Sequence, residues 1–221
     1  MSLLTAPLVE QRAQRDPAET TRAVLGAAWL AVRRAPLLVP AAAALVLTLV
    51  TIPWQDEQGV RVVHGVAVLL ACALASATDD PSGEAVAAAP VPRSVRTLSR
   101  VLAALAVCVP VAVLALVVAS TRAFFFPTGA MVLETICFAV VAVAFGATLR
   151  AWRGLLRPAY PTVIGVVLVV LATYALPRGW TMIDPQPWGP PYQAALIRWT
   201  GLLLAAAGVL ALALRDPGRG R

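Results

Sequence analysis

The chain has 221 residues, 60% of them hydrophobic and 13% charged, with a mean hydropathy of +0.81. A soluble domain of this length keeps much of its surface in water and cannot cover so much apolar side chain, so a water-soluble globule is excluded and a bilayer is the expected solvent. The formal charge of +7 rests on 18 basic residues, all arginine; they fall in short loops between apolar runs, where they set membrane orientation and do not call for nucleic acid.

The first 35 residues hold five arginines and no apolar core followed by a small-residue cleavage site, so no cleaved signal peptide is expected. Within them, DPAETTRAVLGAAWLAVRR (16–34) opens with Asp16, Pro17 and Glu19 at N-cap, N1 and N3 spacing. At 100° per residue, Val24, Leu25, Ala28, Trp29 and Val32 share one face, with Arg22 and Arg33 on the other and Arg34 at the end. That pattern predicts an amphipathic helix lying on the inner membrane surface. Residues 1–35 are thus expected to form a cytoplasmic N-terminus carrying an interfacial helix.

Six apolar runs follow, at about 36–53, 61–77, 101–120, 129–149, 160–177 and 194–214. Each is close to the ~20 residues that a helix needs to cross a bilayer core. Continuous helices are expected because lipid leaves no other partner for backbone polar groups. Pro40 and Pro110 are tolerated within such spans, and the glycines at 65, 146, 165, 201 and 208 are expected to permit close packing. The fold class expected is an all-α membrane protein of six spans, with a six-helix domain over 36–214 and a short tail at 215–221.

Arginine placement sets the orientation. Fourteen arginines lie in the N-terminus, the 78–100 insert, the 150–157 loop and the tail; four (Arg61, Arg122, Arg178 and Arg198) lie toward the other side. By the positive-inside rule both termini and the insert are cytoplasmic, in a cell membrane. The outer loops FFFP (124–127) and GWTMIDPQPWGPPYQ (179–193) carry the aromatics and prolines expected at headgroup level.

The insert between spans two and three is the least ordinary stretch. Asp79 and Asp80 close the second span, and Asp80 is placed to cap a short helix beginning at Pro81 and ending before Pro90. After PVP a second helix runs into span three. Arg93, Arg96 and Arg100 lie on one side of it, opposite Val95, Leu98 and Leu102. A short helix, a proline elbow and an arginine-faced start to the next span make a stiff cytoplasmic contact surface.

The layout and the run E-A-V-A-A-A-P-V-P-R (Glu84 to Arg93) resemble the type-2 permeases of ATP-binding-cassette (ABC) exporters. In that family an amphipathic leader and two spans precede a cytoplasmic coupling helix, whose acidic start leads through a Leu/Ala stretch to Pro-x-Ser/Pro-Arg. The resemblance implies that 80–90 docks on an ATPase and that 17–34 is the connecting helix beside it. The coupling residues it implies are Asp79, Asp80, Glu84, Pro90, Pro92, Arg93 and Arg96. It also implies separate ATPase subunits that hold ATP and Mg, a second permease copy or paralogue, and no cofactor or catalysis in this chain. The alternative from a different class is a membrane scaffold or assembly factor without an ATPase partner.

Glu134 is the one carboxylate well inside a span, and Arg198 sits at similar depth in span six, so an intramembrane ion pair between them is expected. His64 reads as a polar packing residue. Cys72, Cys108 and Cys137 lie inside apolar runs without metal-ligand spacing and read as small core side chains. An enzyme using Asp79, Asp80 and Glu84 to hold Mg and a diphosphate lacks a second acidic cluster, since RAWRGLLRPAY (150–160) has no acid. Nor does the chain contain HExxH, GxSxG or a P-loop.

Overall fold

The computed structural model describes residues 34–50, 57–79, 93–122, 126–155, 157–175, 177, 182 and 190–215. Among these the protein is all-helical, without strands. Six helices follow in order: α1 (Arg34–Val50), α2 (Glu57–Ala75), α3 (Arg93–Arg122), α4 (Thr128–Arg153), α5 (Ala159–Ala175) and α6 (Pro190–Ala213). A 3-10 turn, Ser76–Thr78, extends α2. The stretch over Val60–Thr78 and helices α3, α4 and α6 are long and apolar enough to cross a membrane, while α1 and α5 are shorter apolar helices. The chain therefore fits a multi-pass membrane protein.

Each expected run holds a helix, and several helices extend beyond the apolar stretch that signalled them. The helix α3 begins at Arg93, immediately after the prolines, and α4 continues to Arg153. Arg150 and Arg153 fall in the last turn of α4, where cations suit the helix dipole. Gly154 then stops the helix in the left-handed conformation, with φ of +65°. Pro40 and Pro110 lie inside α1 and α3, as expected for helices packed in lipid.

The helix α2 is the centre of the bundle, packing against α1, α3, α4 and α5, while α6 packs chiefly on α4. Three apolar clusters express this arrangement. One joins Leu37 and Ala44 of α1 to Val66, Leu70 and Leu74 of α2 and to Ala104 and Cys108 of α3. A second sets Ala67 and Ala71 against Cys137, Phe138, Val166 and Trp199. The third, at the opposite end of α2, joins Val63, Ala119, Ala130 and Met131. The faces of α3 and α6 turned away from the bundle expose Val109, Val113, Ile197 and Leu204, apolar residues suited to lipid.

Close helix contact rests on fewer glycines than their positions in the spans suggest. A Cβ at Gly65 would come within 3.2 Å of Leu47, and one at Gly165 within 2.8 Å of Phe145. Gly146 is tighter still, lying against Thr78. Among the described residues, Gly201 and Gly208 have no neighbour within 4 Å of such a Cβ, and both lie on the exposed face of α6. The expectation of close packing at those two positions is corrected accordingly.

Candidate functional site

Two buried polar groupings stand out in this apolar bundle, one near each end of α2. The first is where α2 ends and α3 and α5 begin. Asp79 is 2% exposed, and its Oδ1 accepts a hydrogen bond from the backbone N–H of Ala159 at 2.9 Å. That N–H belongs to the first turn of α5 and lacks a partner within its own helix, so Asp79 serves as a cap supplied from 80 residues away. A carboxylate is also favoured by the positive end of the helix dipole. The backbone carbonyl of the same residue accepts from Nη1 of Arg100 at 2.9 Å.

Arg100, Thr97 and Arg150 are buried here and Arg96 is half-buried, while Val95, Leu98 and Leu102 are exposed. At Arg96 and Arg100 the face expected to carry the arginines is therefore turned toward the bundle, with the apolar face outward. Inside, the Arg100 guanidinium finds the Asp79 carbonyl as an acceptor. Thr78, fully buried, bonds the Ala75 carbonyl at 2.7 Å, and Thr162 bonds the Pro158 carbonyl at 2.7 Å.

Of the expected coupling residues, then, Asp79 and Arg96 stand at this junction, and Asp79 points inward to hold α5. The backbone of Arg93 starts α3. Asp80, Glu84, Pro90 and Pro92 lie outside the described residues, as do Arg22, Trp29 and Arg33 of the expected interfacial helix. Arg34 is exposed at the start of α1.

The second grouping lies near the starts of α4 and α6. Glu134 on α4 is 2% exposed, His64 on α2 is 5% exposed, and Nδ1 of His64 meets Oε1 of Glu134. His64 stands two turns inside α2 and Glu134 two turns inside α4, so the pair joins two central helices within the apolar region. This pairing was not legible beforehand: two polar residues 70 apart give no local periodic signal. The signal available was scarcity, since the chain has one histidine and Glu134 is the only acid well inside a span.

Beside the pair is a cavity of about 20 Å³, lined by His64, Glu134, Met131, Met182, Tyr192 and Trp199 along with small apolar residues. Nε1 of Trp199 donates to the Met182 carbonyl at 2.7 Å, which fixes that residue of the α5–α6 connection over the bundle. Trp199 also packs edge-on against Phe138, with ring centroids 5.2 Å apart at 64°. Arg198, the charge partner expected for Glu134, is half-buried on α6 and does not line the cavity. The contact the structure gives Glu134 is His64.

No family model, no curated protein and no solved structure matches this chain.

Among the described residues no cluster of three His, Cys, Asp or Glu side chains is placed to hold a metal. Cys108 and Cys137 are buried and Cys72 half-buried, all three with free thiols. Cys108 sits in the α1–α2–α3 core, and Cys137 in the α2–α4–α6 core with its Sγ 3.8 Å from the Trp199 carbonyl. The two groupings are thus a junction of helix termini joined by hydrogen bonds, and a small cavity beside a buried His–Glu pair.

Proposed function

We propose that this chain is the membrane-spanning subunit of an ATP-driven exporter of the type-2 ABC class, forming a path with a second copy or a paralogue and coupled to separate ATPase subunits. In this reading all six helices span the cell membrane. Both termini and residues 78–100 are cytoplasmic, and 80–90 receives the push of ATPase closure.

The observation that carries the reading is the brace on the 80–92 segment. The residue before it, Asp79, and the start of the helix after it are joined by the Arg100–Asp79 hydrogen bond, and Asp79 also holds the first turn of α5. Force delivered at these two anchor points would reach α2, α3 and α5 together. A coupling element needs that property. Glu84 to Arg93, with the family-like run, lie within or directly beside that segment.

The test is co-purification with the ATPase subunit and ATP-dependent efflux in membrane vesicles. Replacing Glu84 and Arg93 together is expected to abolish both ATPase association and efflux while leaving the permease in the membrane. Unchanged association and efflux would overturn the reading. Cysteine accessibility at positions 86 and 186, with a membrane-impermeant thiol reagent, checks the orientation: only 186 is expected to react from outside.

A further inference from the structure

We propose that the cavity beside His64 and Glu134 is a binding site for a protonated primary amine, with the ammonium head inside and any alkyl chain lying along the apolar bundle. Three observations converge on this. His64 is buried, lines the cavity, and its Nε2 has no hydrogen-bond partner among the described residues. A buried imidazole nitrogen left without a partner is uncommon, because the lost hydration is not compensated. An occupant that bonds it removes the deficit.

The second observation is the chemistry of the lining. A neutral His64 that donates from Nδ1 to the Glu134 carboxylate presents a lone pair at Nε2. Besides the apolar Ala130, Ala195 and Leu196, the remaining lining groups are a carboxylate, the thioethers of Met131 and Met182, and the rings of Tyr192 and Trp199. The carboxylate, thioethers and rings attract a cation, the rings through their negative faces and the sulfurs through their polarisability. The strong donor nearby, Nε1 of Trp199, is already engaged by the Met182 carbonyl. Of the charged and titratable groups on the surrounding helices, Arg61 lies exposed at the start of α2, Cys137 is buried one turn beyond Glu134, and Arg198 does not line the cavity. With His64 neutral, the charge of the Glu134 carboxylate is left for an occupant to balance, which a cation does.

Size is the third. A cavity needs roughly 10–15 Å³ to take one water-sized group, so about 20 Å³ holds one ammonium head and little more. The N–H donors of a primary ammonium match the Nε2 and carboxylate acceptors, which a dry alkyl group would leave unpaired. Joined to the transport reading, on which this clause rests, the site makes amine-bearing amphiphiles the cargo class.

The test uses the purified full chain in nanodiscs without an ATPase and without a polyhistidine tag, so that its outcome is separate from that of the efflux assay. Octylammonium is expected to raise the thermal unfolding midpoint saturably, and octanol, with the same chain and no charge, is not. Glu134→Gln is expected to weaken octylammonium binding roughly tenfold to a hundredfold, the range for losing a charge-assisted hydrogen bond. If that variant fails to fold, the wild type still decides the matter. With ¹⁵N-histidine labelling the single imidazole gives one set of signals, and Nε2 is expected to shift saturably with methylammonium. Equal effects of octylammonium and octanol, or an imidazole indifferent to methylammonium, would overturn the proposal. So would tight binding of silver(I) that displaces the amine, which would assign the methionines and His64 to a soft metal.

Discussion

Gly146→Ala puts a single methyl group where the bundle has least room for it. The added Cβ would lie 2.8 Å from Cγ2 and 2.9 Å from Cβ of Thr78, and against Oγ1 of the same residue. Carbon atoms in good contact sit about 3.5–4.0 Å apart, so Thr78 has to retreat by much of an ångström. It has nowhere easy to go. Thr78 is fully buried, its hydroxyl is bonded to the Ala75 carbonyl at 2.7 Å, and the next residue is Asp79, held by both Ala159 and Arg100. Overpacking of this kind costs about 1–3 kcal/mol, and loss of the Thr78 hydrogen bond adds about 1 kcal/mol. Alanine regains about 1 kcal/mol over glycine in a helix interior. The net expectation is a destabilisation of about 1–3 kcal/mol, or a fall of roughly 2–12 °C in the unfolding midpoint for a chain of this size. Circular dichroism of the purified protein in detergent reads it directly. Adding Thr78→Ala removes two of the three clashing atoms, so the double variant should recover about 1 kcal/mol relative to the sum of the single changes. Gly146→Ala as stable as the wild type, or additivity in the cycle, would refute the close approach of α4 to the turn after α2.

Gly201→Ala is the matched control: with nothing near the new Cβ it should be neutral or raise the midpoint by up to about 1 kcal/mol equivalent. Asp79→Ala removes the cap on α5 and should cost about 1–2 kcal/mol by thermal unfolding, whereas Asp79→Asn keeps an oxygen for Ala159 N–H and should cost less than half as much. In thiol labelling of the folded protein, Cys72 is expected to react before Cys108 and Cys137, and all three should react together once the chain is unfolded in dodecyl sulfate.

The helices were legible because lipid leaves apolar composition and length as the dominant constraints, and all six described helices fall on the six apolar runs. Their ends were less so. The helix α3 reaches back to Arg93 and α4 forward to Arg153, through polar residues that hydropathy assigns to loops; Pro92 and Gly154 were the better markers. The faces of the first turns of α3 were visible in the periodicity of Arg93, Arg96 and Arg100, yet periodicity does not say which face is inside. Burial of Arg100 follows from the Asp79 carbonyl waiting for it, a long-range fact. The same limit governs Glu134. Its isolation in an apolar run marked it as needing a partner, and depth alone nominated Arg198, but depth does not fix the rotation of a helix about its axis. The structure gives it His64.

The two polar groupings are linked by the same pair of helices. From Asp79 back to His64 along α2 and its terminal turn is 15 residues, about 22 Å at helical rise, and from Gly146 back to Glu134 along α4 is 12 residues, about 18 Å. The two helices touch at Thr78–Gly146 near one end and at His64–Glu134 near the other, with Ala67, Ala71, Phe138 and Ala142 packed between. Close packing resists shear between such helices wherever their side chains interlock. A displacement imposed at the braced junction therefore has two outcomes: α2 and α4 travel together and preserve the His64–Glu134 contact, or they slide and break it. The tight seat of Thr78 on Gly146 opposes sliding at that end, while the cavity beside the histidine leaves room for it at the other. In the transport reading, that asymmetry puts the first change produced by a push on 80–92 at the lining of the amine cavity.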